Sequence, residues 1–599
     1  MSMSKKYLLL ALWTLVSGGQ AWAQAYFGDM PSMDLSKARI TDIGIAVSQV
    51  ERTITTDSIT GQRDTTYQVL PQELVWQSEG LNINDSVAVV NAVKGRRTRK
   101  SPTRGPKEQS GVLMEYFQGF SYYVFSFNYP SIDAEGNELT LSAMAACPLK
   151  SGTSEVRNVI LGTHITITAD RERPTSHFNG FDQDDWGMMF SMAAGPKFIL
   201  TGDLQAALVA ANLASYFIIN LYLPGVGFLL SGLITAYQIG QIAKAAGNYE
   251  YNYNLVIMPD YEGYGASKDR AHPYLYQELT ARQCLDATRY GIELYKTDAS
   301  LKYISMPLRS EYRTISCGYS QGGSVAMACH RFAEQNNLVS ELHYAGSICG
   351  DGPYDPVATL MYYVSQEKEE KPMSMPVVLP LIVKGMLDTN PYMQSHRAED
   401  YFNPKFLETG IMDWLGSKEK STTDIDHEFE RLYNEGKDGN KEYFRDVIIK
   451  YKDGNDEKIG ARLSALMNAD CYAYFSKLYE DYKDSFTSAS GIPLPTHRGV
   501  MEDLHFALAS NDMTSGWEPK HTIKLFHSKG DRVVPYVNAE RAKNALGGKV
   551  DLTTAPNGQD HGESGVDFFK GDDTVDVGWS RFLNLRLYDW VEEMCSKDY

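Results

Sequence analysis

The stretch Thr314-Ile-Ser-Cys-Gly-Tyr-Ser-Gln-Gly-Gly-Ser-Val-Ala-Met-Ala-Cys329 decides the fold. Its first four residues are typical of a short buried strand, and the run from Ser324 to Gln335 is typical of a helix. Between them, Gly318-Tyr-Ser320-Gln-Gly322 has glycines on both sides of the serine, which leave room for a sharp turn. The spacing alone is a weak signal, but its context predicts a strand, a strained turn that exposes Ser320, and a helix.

A serine hydroxyl becomes a strong nucleophile only when a base removes its proton and a carboxylate orients that base. Downstream of Ser320, the strand-like run Ile523–His527 leads into a loop with Asp531, and the run Val550–Thr554 leads into a loop with His561. Residues that follow neighbouring parallel strands meet at the same edge of the sheet. We therefore predict Ser320 as the nucleophile, Asp531 as the acid and His561 as the base.

The choice of the acid leaves alternatives open. Asp351 and Asp355 follow the preceding strand and could fill the same role, and Asp531 could instead cap the helix that follows it. Asp560 is adjacent to His561, but adjacent residues rarely form the hydrogen bond that is needed. Chain order favours Asp531, because in this arrangement the acid comes between the serine and the histidine.

Two backbone N–H groups must hold the oxyanion that forms when the serine attacks a carbonyl group. The first is expected from Gln321, the residue after the nucleophile. The second is expected from the loop Gly162-Thr-His-Ile-Thr166, in which we assign Thr166. His164 in the same loop is interpreted as a loop anchor rather than as a group that transfers protons.

Short apolar runs alternate with helical stretches after residue 111, which predicts a mostly parallel sheet with helices on both faces. The fold class is therefore α/β, with eight strands: Tyr122–Tyr129, Leu139–Cys147, Asn158–Gly162, Leu255–Pro259, Thr314–Cys317, Leu342–Ile348, Ile523–His527 and Val550–Thr554. The first two are predicted to pair through the turn Asp133–Asn137.

A chain of 599 residues exceeds the size of a single hydrophobic core, so we predict one large catalytic domain with insertions. In the N-terminal part, only Ile43–Val47 and Ser86–Val90 have the alternation of strands. The predicted segments are a signal peptide (1–23), an unassigned segment with a basic linker (24–110), the first part of the core (111–356) with an apolar helical insertion (173–250), a helical cap (357–520) and the second part of the core (521–599).

The first residues have the form of a secretory signal. Lys5 and Lys6 precede the short apolar run Tyr7–Val16, and Ala21-Trp-Ala23 supplies a cleavage site with small residues. The apolar run is too short to span a bilayer. We therefore predict cleavage near Gln24 and a secreted or periplasmic protein.

The composition excludes some partners and cofactors. A net charge of −18 makes a nucleic-acid partner implausible, because phosphate backbones require a basic surface. Neither a metal-binding helix motif nor a Cys/His ligand spacing is present, so we predict no catalytic metal. The seven cysteines do not identify a disulfide pair.

The segment 204–243 contains no charged residue and forms two predicted helical runs broken at Pro224. One interpretation is a helical pair buried against the catalytic domain. A second is a lipid-facing lid or a wall of the acyl site, which would bring the protein into contact with a lipid surface. A membrane hairpin is disfavoured, because each run is shorter than the roughly 20 residues that a span requires.

With these residues in place, the chain resembles the secretory lipase family of α/β hydrolases. The resemblance rests on Gly318-Tyr-Ser-Gln-Gly-Gly323, Pro259-Asp-Tyr-Glu-Gly-Tyr-Gly265 and His272-Pro-Tyr274, together with the order of the triad and the large insertion before the acid. It covers roughly 117 to 589. It implies hydrolysis of carboxylic esters of lipids or other acyl esters without a cofactor, and only a structural role for Asp260, Tyr261 and His272.

The leading hypothesis is therefore an exported lipase or carboxylesterase whose substrate is a small-molecule or lipid ester. The same triad and fold would also serve a serine exopeptidase or a carbohydrate esterase, since the fold does not fix the substrate. A non-catalytic binding protein that retains the fold is a third hypothesis, disfavoured by the intact triad. The sequence does not give the oligomeric state.

Overall fold

The computed structural model describes most of the chain from Phe27 to Ser596. The described ranges are 27–56 without 29, 63–69, 73–77, 107–109, 112–149, 155–179, 197–199, 253–369, 371–435, 448–453, 456–485, 492–556, 558–570, 574–577, 580–583 and 586–596, together with residues 88, 91 and 193.

Strands of the described residues form one large sheet and two small ones. In chain order the strands are β1 Arg39–Thr56, β2 Arg63–Val69, β3 Glu73–Gln77, β4 Lys107–Gln109, β5 Val112–Ile132, β6 Glu138–Pro148, β7 Val156–Thr163, β8 Lys197–Ile199, β9 Asn254–Pro259, β10 Leu308–Tyr319, β11 Tyr344–Gly350, β12 Met373–Ser374, β13 Ile448–Asp453, β14 Asp456–Ala461, β15 Thr522–His527, β16 Val550–Thr554, β17 Thr574–Val577 and β18 Ser580–Leu583. The large sheet has the order β16-β15-β11-β10-β7-β9-β6-β5-β1-β2, with β3 paired to β1 and β4 paired to β5.

The large sheet corrects the prediction of eight mostly parallel strands, because it is mixed and has twelve. Each of the eight predicted runs overlaps one of its strands. The six strands from β16 to β9 pair in parallel. The strands β6, β5, β1 and β2 continue the sheet by antiparallel pairing. Antiparallel neighbours need only short connections, so the N-terminal segment can extend the sheet without crossover helices.

The parallel part of the sheet brings five strand ends to one edge. Along the edge, Thr163 pairs with Gly318, Tyr319 with Gly350, Gly350 with Phe526, and His527 with Thr554. Ligand sites of open α/β sheets form where the carboxyl ends of parallel strands meet. The loops that leave this edge carry the predicted site residues.

Helices fill the intervals between the parallel strands and the region before β15. Within the described ranges, the α-helices of at least four residues are Gln277–Thr297, Ala299–Ile304, Gln321–Gln335, Leu338–Leu342, Pro356–Lys368, Val378–Thr389, Pro404–Leu407, Ile411–Ser417, Thr422–Glu435, Leu463–Leu466, Ala469–Tyr482, Val500–Ala509, Val537–Leu546, His561–Lys570 and Arg586–Ser596. The helices Gln277–Thr297 and Gln321–Gln335 pack on each other and on the parallel strands.

The region between β11 and β15 has a hydrophobic core of its own. Its apolar side chains from Val357 to Leu508 form one buried cluster, which is separate from the cluster around the large sheet and also takes in Tyr274 and Leu275. The Lys418 ammonium group of this region donates hydrogen bonds to backbone carbonyls of Gly263 and Lys268, at 2.7 and 2.6 Å. These bonds tie the region to the loop after β9.

Several sequence predictions lie outside the described residues. They are the signal peptide (1–23), the apolar runs of 204–243 and most of the basic linker. Ile43–Val47 lies within β1, whereas of Ser86–Val90 the structure describes only Ala88, which is helical. In the described part of the chain, no helix is long and apolar enough to cross a membrane.

Candidate active site

The turn between β10 and the helix Gln321–Gln335 holds Ser320 in a strained backbone conformation. Its φ is 58° and its ψ is −125°, a region that residues other than glycine rarely adopt. A Cβ atom at Gly318 or at Gly322 would overlap Thr163, the last residue of β7. The two glycines therefore allow the turn to lie directly against β7, and the strain presents the Ser320 side chain at the edge of the sheet.

The structure brings Ser320, His561 and Asp531 together in the order that the sequence predicts. His561 Nε2 lies 2.9 Å from Ser320 Oγ, and His561 Nδ1 lies 2.5 Å from Asp531 Oδ2. Asp531 is buried, and Ser320 is 8% exposed. A histidine that bridges a hydroxyl and a carboxylate in this way can accept the hydroxyl proton while the carboxylate stabilises the resulting charge.

Local hydrogen bonds fix the two partners of Ser320. Asp531 Oδ1 accepts the backbone N–H groups of Val533 and Val534, each at 2.8 Å, so that Oδ2 is left for the histidine. His561 begins a helix that Asp560 caps, since the Asp560 side chain accepts the backbone N–H of Glu563 at 2.9 Å. Asp560 therefore orients the helix and not the imidazole.

Charge on the imidazole is favoured in the folded protein. Burial lowers the pKa of His561, but the negative charge of Asp531 and its hydrogen bond raise it, and the net shift is upward. The neighbouring charge of Asp560 acts in the same direction. The histidine is thus a stronger base than a free imidazole, as proton abstraction from a hydroxyl requires.

The two alternative acids make other contacts. Asp355 caps the helix Pro356–Lys368 through the backbone N–H of Ala358 at 2.9 Å, and it forms an ion pair with Arg541 at 2.5 Å. Burial raises the pKa of Asp355 to about 6. Asp351 accepts a hydrogen bond from the backbone N–H of Ser528 at 3.0 Å and contacts the hydroxyl of Tyr319.

The loop after β7 lies against the turn Gly318–Gly322, which contains Ser320. The Thr163 hydroxyl donates to the carbonyl of Cys317 or Gly322, at 3.0 and 2.8 Å, and thereby joins β7 to the turn. Thr166 lines the same cavity as Ser320. Gln321 is the first residue of its helix, so its backbone N–H has no acceptor within the helix. Both assigned oxyanion donors therefore belong to backbone segments that border the serine.

His164 is buried beneath this loop. Its Nδ1 lies 2.7 Å from the Ile165 carbonyl oxygen, and its ring stacks on that of Tyr261 with centroids 3.7 Å apart. Burial lowers the pKa of His164 to about 4, which keeps the ring neutral near pH 7. These contacts fit the interpretation of His164 as a loop anchor.

The loop Pro259–Gly265 and His272 pack against the loop after β7. The Asp260 carboxylate accepts hydrogen bonds from the hydroxyls of Ser142 and Thr175, at 2.6 and 2.5 Å, and burial raises its pKa to about 6. Tyr261 stacks between His164 and His272. Each of the three residues therefore packs within the loop structure.

A cavity of about 220 Å³ opens beside Ser320 and His561. Its walls come from the loop after β7, from the region before β15 and from the helix that begins at His561. Most of the side chains that line it are apolar or aromatic: Ile165, Tyr274, Leu275, Tyr319, Pro353, Tyr363, Met375, Val378, Ile382, Val533, Val534 and Val566. Thr166, Thr359, Thr422, Gly562 and Gly565 complete the lining.

Two groups of side chains in the described residues bring three possible metal-ligand atoms within 4.8 Å of one another. They are His330 with Glu334 and His521, and Asp351 with Asp531 and His561. In the first group both imidazoles hydrogen-bond to Glu334 Oε1, at 3.1 and 2.7 Å. In the second group His561 is bonded to Asp531 and Ser320. The absence of a cofactor and of a catalytic metal stays a prediction.

Among the solved structures that are similar to the chain are an esterase and a lipase. No protein-family model matches the chain, and no curated protein matches it by sequence. The rice cell wall degrading esterase LipA from Xanthomonas oryzae is 18% identical over 74% of this chain and 86% of its own, with a TM-score of 0.48. Candida antarctica lipase A is 14% identical over 74% of this chain and 73% of its own, with a TM-score of 0.39.

The chain has the α/β-hydrolase fold. This conclusion rests on the parallel strands, the strained turn at Ser320 after β10 and the loops after β15 and β16. The chain is similar to these two enzymes in structure. At identities of 14% to 18% and TM-scores below 0.5, this similarity says nothing of activity or substrate.

Sequence reasoning did not assign roles to Tyr319, Tyr274 or Asp351. Tyr319 stands directly before Ser320, Tyr274 belongs to the quoted stretch His272-Pro-Tyr274, and Asp351 was considered only as an alternative acid. Their positions in or next to these motifs were the only sign in the sequence that they lie near the site. Their hydrogen bonds join residues from different loops, however, and such contacts cannot be derived from spacing along one chain.

Proposed function

We propose that the protein is a serine hydrolase that cleaves carboxylic esters, with Ser320, His561 and Asp531 as the catalytic triad. The observation that carries the proposal is the pair of hydrogen bonds of His561, at 2.9 Å to Ser320 Oγ and at 2.5 Å to Asp531 Oδ2. The strained backbone of Ser320 supports it, because the strain persists at a position where the fold exposes a nucleophile.

In the first half of the reaction, Ser320 Oγ attacks the ester carbonyl carbon while His561 Nε2 takes the hydroxyl proton. Asp531 stabilises the imidazolium that results. The backbone N–H groups of Gln321 and Thr166 bind the oxyanion. When the tetrahedral intermediate collapses, the ester C–O bond breaks and His561 returns its proton to the leaving alcohol.

In the second half, water attacks the acyl group that is now bound to Ser320. His561 takes one proton from this water as the new C–O bond forms, and the same two N–H groups hold the second oxyanion. Collapse of the intermediate breaks the bond to Ser320, whose oxygen recovers the proton from His561. The products are an alcohol, a carboxylic acid and the free enzyme.

The cavity supports an acyl or lipid ester as the substrate. Its lining of aliphatic and aromatic side chains would bury the methylene groups of an acyl chain, each of which contributes about 0.8 kcal/mol on burial. Such a lining favours an uncharged chain over a charged peptide terminus. The signal-like residues 1–23 support a secreted or periplasmic enzyme.

A fluorophosphonate probe tests the triad, and a substrate panel tests the class of substrate. The native protein should be labelled on Ser320, as peptide mass spectrometry would locate, whereas Ser320→Ala should stay unlabelled. The panel comprises nitrophenyl esters of increasing acyl length and aminoacyl nitroanilides. Ester hydrolysis is expected. Cleavage of the nitroanilides alone would indicate an exopeptidase, and an unlabelled native protein would indicate a binding protein.

A further inference from the structure

The hydroxyl of Tyr319 lies within hydrogen-bonding distance of a carboxyl oxygen and a carbonyl oxygen but has only one hydrogen to donate. Tyr319 Oη lies 2.6 Å from Asp351 Oδ2 and 2.7 Å from the backbone carbonyl oxygen of His561. A carbonyl oxygen can only accept, so the phenolic hydrogen is needed for the bond to His561. A hydrogen between Tyr319 and Asp351 must then come from Asp351.

We propose that Asp351 is a neutral carboxylic acid, protonated on Oδ2, and that it positions the catalytic histidine through Tyr319. Asp351 donates to Tyr319, and Tyr319 donates to the His561 carbonyl. If Asp351 were ionised, Tyr319 could donate its one hydrogen either to Asp351 or to the His561 carbonyl. The other oxygen would then face a lone pair of Tyr319 at less than 3 Å.

The other oxygen of Asp351 fits this placement of the proton. Oδ1 accepts the backbone N–H of Ser528 at 3.0 Å, so one carboxyl oxygen accepts and the other donates. His527 Nδ1 lies 3.8 Å from Oδ1, which is beyond hydrogen-bonding distance. His527 Nε2 donates instead to the carbonyl of Val534 at 2.8 Å.

Electrostatics favour a single negative charge at this point. A carboxyl oxygen of Asp351, a carboxyl oxygen of Asp531 and a ring nitrogen of His561 lie within 4.8 Å of one another. Two carboxyl groups at such a distance are not readily ionised at the same time, because their negative charges repel. Asp531 accepts three hydrogen bonds, two from backbone N–H groups and one from His561. Burial raises the pKa of Asp351, and the charge of Asp531 raises it further, whereas His527, His561 and the hydroxyl of Ser564 lower it. The net shift is upward.

Tyr319 can position His561 because it contacts both the backbone and the ring of this residue. Besides the bond to the His561 carbonyl, the Tyr319 ring packs beside the imidazole with centroids 5.1 Å apart. Asp351 itself has a φ of 32°, a strained conformation directly after β11 that aims its side chain at the hydroxyl. This role rests on the proposed hydrolase function, whereas the protonation state of Asp351 does not.

Infrared difference spectroscopy of the full chain near neutral pH tests the protonation state. A neutral carboxylic acid has a C=O stretching band that is well separated from carboxylate bands and shifts in deuterium oxide. The difference between native protein and Asp351→Asn should contain this band, and the matched control Asp531→Asn should lack a carboxylate band instead. Loss of a carboxylate band in Asp351→Asn would overturn the proposal, whether or not the protein hydrolyses esters.

Hydrolysis of a nitrophenyl ester tests the positioning role. Asp351→Ala removes the donor to Tyr319 and should lower kcat by about tenfold, with little change in KM. Asp351→Asn should recover most of this loss, because its amide can donate to Tyr319 and accept from Ser528, and asparagine tolerates a positive φ. Equal losses in both variants would overturn the role.

A further variant covers the case in which Asp351→Ala does not fold. Tyr319→Phe removes the hydroxyl that links Asp351 to His561. Tyr319→Phe should therefore lower kcat by about tenfold with little change in KM, as Asp351→Ala does, because the two residues act through one bond. Native kcat in Tyr319→Phe would overturn the role. A native protein without esterase activity would overturn the proposed function. The infrared experiment would still decide whether Asp351 is protonated.

Discussion

The hydroxyl of Thr166 lies 2.8 Å from the hydroxyl of Tyr274, and both residues line the cavity that contains Ser320. Burial raises the pKa of Tyr274 to about 12, so its phenol stays protonated under ordinary conditions. If Tyr274 donates to Thr166, the hydrogen of the Thr166 hydroxyl is free to point towards the serine. Thr166 would then hold the oxyanion with its side chain as well as with its backbone N–H.

We therefore expect Tyr274→Phe to lower kcat by about tenfold, the value of one hydrogen bond of about 1.4 kcal/mol. KM should change little, because the phenyl ring keeps the wall of the cavity. The measurement is steady-state hydrolysis of nitrophenyl acetate.

Two variants of Thr166 serve as its controls. Thr166→Ser keeps the hydroxyl and should retain most of the activity, whereas Thr166→Val keeps the shape and should lose as much as Tyr274→Phe. Unchanged kcat in Thr166→Val would contradict a role for the hydroxyl.

The parallel strands could be predicted because each is a short run of buried apolar residues between helical stretches. β10, for example, contains the apolar run Thr314–Cys317 and ends one residue before Ser320, and a single sequence is enough to recognise this local pattern. Of β1 only Ile43–Val47 was predicted, and β2 was not, because both strands contain polar stretches such as Gln49–Thr53 and Arg63–Thr66, which lack the apolar signal of a central strand. Antiparallel edges of this kind are specified by pairing rather than by composition.

For the site, chain order was sufficient to nominate three residues but not their supporting contacts. Ser320, Asp531 and His561 each follow a recognisable strand, and parallel strand ends share an edge. Tyr319 reaches Asp351 and His561, which are 32 and 242 residues distant along the chain. Hydrogen bonds over such separations depend on side-chain directions that only the folded chain defines.

Removing a member of the triad should abolish most of the activity. We expect Ser320→Ala and His561→Ala each to lower kcat by about 10⁴-fold or more without unfolding the protein. Because the triad acts as a unit, the double variant should be little worse than either single variant. Circular dichroism checks folding, and near-native esterase activity in Ser320→Ala would end the assignment.

Substitution of the acid distinguishes Asp531 from Asp355. Asp531→Asn should lower kcat by about 10⁴-fold, because the imidazole loses the carboxylate that fixes its tautomer. Asp355→Asn is the matched control, since Asp355 caps a helix and pairs with Arg541. It should lower thermal stability and leave the turnover of the folded fraction near the native value. A catalytic loss confined to Asp355→Asn would contradict the assignment.

The pH dependence of hydrolysis should follow the ionisation of His561. Only the neutral imidazole accepts a proton, so kcat/KM should fall as the pH decreases through the pKa of this group. Because that pKa is raised above the ordinary value of 6.5, the midpoint of the acid limb should lie above it. In Asp531→Asn the charge that raises the pKa is gone, and the residual activity should show its acid limb at lower pH. A common midpoint in both proteins would contradict this cause of the shift.

The size of the cavity should set the preference for acyl length, and Gly562 offers a way to change it. Gly562 lines the cavity at the start of the helix that begins at His561. A Cβ atom there would have only Asp560 Oδ1 near it, at 3.5 Å, so a larger side chain can enter the open space. Leucine also favours the helix, by roughly 0.5 to 1 kcal/mol over glycine.

We expect Gly562→Leu to lower kcat/KM for octanoyl esters far more than for acetyl esters. Each methylene group excluded from the cavity forfeits about 0.8 kcal/mol, or about fourfold in kcat/KM, and an acetyl group has none to lose. Gly548→Leu is the matched control, because Gly548 also has open space around its Cβ position and does not line the cavity. It should leave the ratio of the two activities unchanged. Equal losses on both esters in Gly562→Leu would mean that the variant disturbs His561 and that the acyl chain binds elsewhere.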